Sequence, residues 1–209
     1  MTKWRYPLAL LAVYAVVWIA LAIKPVYRHD WMLENVLVVV ALPLLVLTAG
    51  RLRFSNFTYT CLFIFFVFHS IGSHYTYALV PYDEWFQRLT GTSLDGLLGF
   101  ERNHFDRLAH FLYGLLLTPA AIEIFAHYGR YPASWAVLFP ALFMSAQAGI
   151  YEIIEWGAAL VFGGDLGQAY LGTQGDIWDG QKDMALAFAG TAITLVAYAF
   201  AGRLPIRRG

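Results

Sequence analysis

The chain has 209 residues with fourteen basic and fourteen acidic side chains, so its formal net charge is zero; 59% of its residues are hydrophobic and 13% are charged. Soluble domains carry about 25% charged residues, and a neutral chain offers no basic surface for nucleic acid. Composition therefore excludes both classes and, with a mean hydropathy of +0.56, leaves a membrane protein.

In chain order the apolar runs predict spans at about 6–23, 33–50, 57–79, 107–127, 134–162 and 183–202. Each is close to or above the ~20 residues that a helix needs to cross ~30 Å of hydrocarbon. Strand-like alternation is absent, which argues against a β-barrel. The expected fold is all-α: a polytopic membrane bundle of about six transmembrane helices, one transmembrane domain over 1–209. Lys3, Arg5 and the small-residue pattern Ala20-Leu21-Ala22 resemble a signal peptide. The run is nevertheless span-length, carries Trp18 and leads into Lys24-Pro25, so an uncleaved first span is expected. Trp4, Tyr27, Trp31, Tyr82, Trp85 and Trp178 near span ends form the usual interfacial belt. Pro43, Pro119 and Pro140 inside spans predict local bends. Cys61 is the single cysteine and has no intrachain partner for a disulfide.

The third span closes on His69-Ser70 and His74 to Tyr77; Ser70, His74 and Tyr77, at i, i+4 and i+7, line one helical face, with His69 off it. The loop around 80–105 mixes Gly91, Gly96 and Gly99 with Trp85, Phe86, Leu97 and Leu98, as a short interfacial helix with a glycine-rich turn would. The fourth span opens with Asp106 and His110 at i, i+4, and Tyr113 continues that face. Helix capping explains Asp106 alone, but not a histidine one turn deeper. In the fifth span Glu152 and Glu155, at i, i+3, interrupt an apolar helix; such a pair repels unless a cation or a proton lies between them. The loop around 163–181 is turn-rich and is expected to be an interfacial or re-entrant segment. It ends in an acidic stripe, Asp176, Asp179 and Asp183, which lacks the spacing of an EF-hand; capping with a Lys182 ion pair is the plainer reading.

With helices alternating in direction, thirteen of the fourteen carboxylates fall on one side, Glu123 being the exception. The opposite side holds Lys3, Arg5, Arg51, Arg53, Arg130, Arg203, Arg207 and Arg208. Compact basic clusters mark the cytoplasmic face, so both termini are expected there and the acidic loops outside. Ionisable groups inside spans are costly; several at one depth imply a site. Mixed histidine and carboxylate donors suit a divalent metal, namely zinc, manganese or iron. The expected ligands are His74, Asp106, His110, Glu152, Glu155, Asp179 and Asp183. A bound metal lowers the pKa of its water; Glu155 and Asp183 are the catalytic candidates as general base, with Tyr77 or Tyr113 orienting the substrate. The expected reaction is hydrolysis of a membrane lipid or lipid-linked substrate. An ion-coupled transporter using the same carboxylates, and a non-catalytic accessory protein, are the alternatives. No HExxH, GxSxG or P-loop is present.

The run Arg102 to Arg107, the stretch Tyr151-Glu152-Ile153-Ile154-Glu155-Trp156 and the segment Gly175 to Met184 resemble the YjdF-type bacterial inner-membrane proteins over nearly the whole chain. The resemblance implies a multi-pass protein of the bacterial inner membrane and supplies no activity. A looser similarity is to membrane zinc hydrolases of the alkaline-ceramidase kind, to which Ser70, His74 and Asp106 correspond; Asp179 and Asp183 stand where that family has paired histidines.

Overall fold

A computed structural model describes residues 4–164 and 172–207. Among these residues the chain forms eight helices: α1 Arg5–Leu21, α2 Arg28–Thr48, α3 Asn56–His74, α4 Tyr82–Thr90, α5 Leu94–Leu98, α6 Phe105–Tyr128, α7 Ala133–Phe162 and α8 Asp179–Phe200. Five of them, α2, α3, α6, α7 and α8, are long and apolar enough to cross a membrane. The 17 residues of α1 stand at the lower limit for a span. Large apolar side chains such as Val16, Leu47, Val161 and Phe200 are exposed on these helices, a surface that only lipid tolerates. The chain is a polytopic helical membrane protein.

Local chemistry sets the helix ends. Ser55 caps α3 by accepting the Thr58 amide at 3.2 Å, and Ser93 caps α5 by accepting the Gly96 amide at 2.9 Å. Gly91 and Gly99, at φ 81° and 69°, close α4 and α5 in the left-handed conformation that glycine adopts without penalty. Pro43, Pro119 and Pro140 each lie within a continuous helix. Three boundaries differ from the sequence expectation, and all three matter. α2 begins at Arg28, which brings Asp30 into the helix; Asp30 and Glu34 are both buried. α8 begins at Asp179, so that residue is part of the helix. α3 stops at His74 because Thr76 and Tyr77 take positive φ, 52° and 49°.

The bundle is built around a parallel pair, α6 and α8. A Cβ at Gly114 would overlap the Ala187 carbonyl, and one at Gly190 would overlap the Phe111 carbonyl, so the two backbones touch. Thr118 Oγ1 meets Thr191 Oγ1 at 3.2 Å, and Thr194 Oγ1 donates to the Leu115 carbonyl at 2.8 Å. Small residues with interhelical hydrogen bonds are the standard adhesive between spans, where lipid tails remove the hydrophobic drive. α3 and α7 pack on this pair, and α1 and α2 pack on α3. Tyr14, Val38, Phe54, Leu62, Phe66 and Ala120 form one core; Ile122, Ala136, Leu195 and Leu204 form a second beneath α8.

Glu123, the lone acid on the basic side, accepts from the Ser55 amide at 2.7 Å, Ser55 Oγ at 2.6 Å and Thr58 Oγ1 at 2.7 Å. It therefore fastens the start of α3 to α6. On that side Tyr131 and Ile206 form an isolated bridge. The expected interfacial segment at 80–105 is the pair α4 and α5, tied by the Tyr82 hydroxyl to Asp95 at 2.7 Å and by Asp83 to Ser93 and the Asp95 amide. Burial and the Asp95 carboxylate push the Tyr82 phenol up to about 12. The Asp95 amide holds the Asp83 carboxyl below its ordinary range. The expected segment at 163–181 lies in part, over 165–171, outside the described residues.

Candidate metal centre

The close α6–α8 contact fixes the register of the acidic helix starts. Asp106 and His110 project from the first turns of α6, and Asp179 and Asp183 from the first turns of α8. One ligand atom from each of Asp106, His110 and Asp183 lies within 4.8 Å of the others. From α7, Glu152 brings Oε1 to 3.6 Å from His110 Nε2, and Asp106 Oδ1 is 3.7 Å from the same nitrogen. This approach needs Gly180: a Cβ there would stand 2.7 Å from Glu152 Oε2. Gly172, at φ 62°, lies beside Asp106 Oδ2, and its left-handed conformation rather than the space is what favours glycine there. Glu155 is buried within electrostatic range of Asp106, Glu152, Glu34 and Asp183.

Two arginines frame this centre. Arg102 Nη1 is 2.8 Å from Asp179 Oδ1, and also donates to the Thr173 carbonyl at 2.6 Å. Arg107 Nη2 reaches Asp179 Oδ1 at 3.3 Å and pairs with Asp176, which Lys182 also holds. Hydrogen bonds from Lys182, the Trp178 amide and Arg107 keep the Asp176 carboxyl well below the ordinary range. Asp176 is thus an anchor for the arginine, at the edge of the centre. Beside it, burial and the charges of Arg107 and Arg102 lower the pKa of His104, whose ring stacks on Phe100.

The carboxylates still outnumber the cations. Among the described residues, the five carboxylates of Asp106, Glu152, Glu155, Asp179 and Asp183 have two arginines close by, Arg102 and Arg107, both engaged with Asp179. Among the described residues, Glu152 Oε1, Asp183 Oδ1 and Asp179 Oδ2 are buried without a hydrogen-bond partner. Buried oxygens in that condition are expensive unless a cation or a proton joins them. Donor types fit the expectation of a divalent ion: one imidazole and several carboxylates, closely spaced.

A cavity of about 110 Å³ adjoins the centre, lined by Asp106, His110, His69, Tyr77, Tyr113 and Tyr151 together with apolar side chains such as Leu37 and Phe65. His69 Nε2 faces the Glu34 carbonyl at 3.2 Å and Nδ1 faces the Tyr77 hydroxyl at 2.5 Å. A carbonyl only accepts, so neutral His69 carries its proton on Nε2 and Tyr77 donates to Nδ1. The positive φ values at Thr76 and Tyr77 turn the chain back for this contact, and the phenol ring lies over Gly72, where a Cβ would have no room. Thr76 Oγ1 anchors the turn on Asp30 Oδ2 at 2.9 Å, while the Tyr151 hydroxyl donates to Glu34 Oε2 at 3.2 Å.

Six of the seven expected ligands sit at this end of the bundle: Asp106, His110 and Asp183 as a triad, Glu152 against His110, Glu155 behind it, and Asp179 with one oxygen held by the arginines. His74 goes elsewhere, its Nδ1 on the Leu21 carbonyl at 2.7 Å. Ser70 bonds the Phe66 carbonyl and Tyr14, so the ceramidase-like trio Ser70, His74 and Asp106 does not assemble. Nor does the stripe Ser70–His74–Tyr77, since the helix ends before Tyr77. Sequence reasoning passed over Glu34 and ranked His69 below His74. Asp30 and Glu34 at i, i+4 before an apolar run were the available signal for α2.

The expected family resemblance is borne out. The chain is 34% identical over 203 residues to inner membrane protein YjdF of Escherichia coli (strain K12), covering 94% of this chain and 91% of that protein. No solved structure matches the chain. The family model described as "Predicted membrane protein (DUF2238)" matches residues 6–203, and the chain belongs to that family.

Proposed function

We propose that this protein is a metal-dependent membrane hydrolase acting on a lipid or lipid-linked substrate at the end of the bundle that bears α4 and α5. The observation that carries the reading is the convergence of Asp106, His110 and Asp183 within 4.8 Å, with a fourth, unpartnered oxygen on Glu152 beside them. These four residues would hold a divalent cation, zinc, manganese or iron. When bound, the ion supplies an acidified water as nucleophile. Glu155, buried within electrostatic range of Asp106, Glu152 and Asp183, would act as the general base. Arg102 and Arg107 hold Asp179, and through it the start of α8, against α6. Tyr77, oriented by His69, lines the adjoining cavity and would position the substrate there.

A site open to one side suits an enzyme better than a carrier. The one acid on the opposite side, Glu123, is engaged by three donors and fastens α3, so it does not supply a polar step toward that face. Cobalt(II) titration of chelator-treated protein tests the reading. Visible d–d absorption saturating at one ion per chain, and absent in His110→Ala, supports it; identical spectra for the two proteins overturn it.

A further inference from the structure

A cavity of about 980 Å³ lies between the interfacial helices α4 and α5 and the flanks of α3, α6 and α8. Its walls are apolar: Trp85 and Leu89 from α4, Leu98 from α5, Phe111 from α6. Leu89 and Leu98 are largely exposed, at 86% and 56%, so the groove opens toward lipid. One end differs. Arg107 and Lys182 line it together with His104, and both cations share a single carboxylate, Asp176. Arg107 also carries a buried Nε without a hydrogen-bond partner. Through Arg107 this basic end touches Asp179 and hence the metal centre.

We infer that this groove seats one anionic phospholipid, its acyl chain along α4 and α5 and its phosphate at Arg107 and Lys182. Tail burial does not select the occupant, since lipid tails are as apolar as the groove wall. Selection rests with the basic end, where Arg102, Arg107 and Lys182 share two carboxylates, Asp176 and Asp179, and an anionic headgroup completes the balance. The inference deepens the hydrolase reading and rests on it for one step only: a phosphate held by Arg107 lies beside the carboxylates proposed to bind the metal, so an anionic phospholipid is the substrate class.

Tryptophan quenching in lipid nanodiscs tests it. The discs hold phosphatidylglycerol and phosphatidylcholine in equal parts, with bromine on the acyl chains of one lipid at a time. Subtracting the Trp85→Phe signal isolates Trp85. Brominated phosphatidylglycerol should occupy the groove about fivefold more than brominated phosphatidylcholine, the preference of roughly one basic charge near a membrane surface. Lys182→Gln should abolish the preference and Lys182→Arg retain it. Equal quenching by the two lipids in the wild type, or a preference that survives Lys182→Gln, overturns the inference. The measurement needs no metal, so its failure leaves the metal reading standing. Conversely, a preference in protein that binds no metal leaves the groove and removes the hydrolase.

Discussion

Gly114 on α6 and Gly190 on α8 face each other so closely that each backbone fills the place of the other's missing side chain. This contact sets the level at which Asp106 and His110 meet Asp183. An alanine at Gly190 would press on the Phe111 carbonyl, which is backbone and has nowhere to move. Gly190→Ala is expected to cost about 1–3 kcal/mol or more and to weaken metal binding together with stability. Gly50→Ala, in open space, is the control and should stay within about 0.5 kcal/mol. Thermal melts in detergent decide between them; matching melts for the two variants would contradict the packing account.

Glu123 offers a second test, away from the centre. Its carboxylate accepts three hydrogen bonds from Ser55 and Thr58. Glu123→Ala leaves these donors without their acceptor and should cost about 1–3 kcal/mol, with metal content unchanged. A neutral melt would mean that the carboxylate does not fasten α3.

His104 gives a pH dependence with a defined sign. Burial, then Arg107 and Arg102, lower its pKa from the ordinary 6.5. As pH falls below 6.5 the unfolded chain therefore takes up a proton before the folded chain does. The contribution is fully present above 6.5 and is lost as pH falls through the folded value. Between pH 8 and 5 the wild type should lose more stability than His104→Gln. Parallel curves for the two proteins would remove His104 from the account.

Much of the fold was legible because span length and charge placement are strong signals. Every apolar run became a helix, and Asp106, Glu152, Glu155, Asp179 and Asp183 met at one end. The misses have specific physical causes. Helical periodicity assigned Ser70, His74 and Tyr77 to one face, but two consecutive positive φ values ended α3 and sent Tyr77 back to His69. Tertiary contacts, Thr76 on Asp30 and the Tyr77 ring over Gly72, stabilise that turn, and no local pattern announces them. Asp30 was hidden by a span boundary drawn five residues inside the true start of α2, whereas Glu34 lay within the expected span and was passed over. Its burial follows from partners distant in sequence, Tyr151 among them.

Glu152 and Glu155 should behave as one unit. Both are near Asp183, and each removal changes the repulsion felt by the other. With Glu152 as ligand and Glu155 as general base at the same ion, the loss in Glu152→Gln/Glu155→Gln should be smaller than the sum of the single losses, by about 0.5–3 kcal/mol. Independent glutamates would give additive shifts. Melts with and without added metal distinguish the two, and additive shifts that ignore metal would contradict a shared ion.

The central claim is that Asp106, His110 and Asp183, with Glu152, hold a divalent metal. Elemental analysis of protein purified without chelator or an affinity tag that binds metal addresses it most directly. The account predicts one zinc, manganese or iron per chain in the wild type, and its loss in a folded Asp183→Asn variant. Fully folded wild-type protein without a stoichiometric metal, or an unchanged metal content in Asp183→Asn, would contradict it.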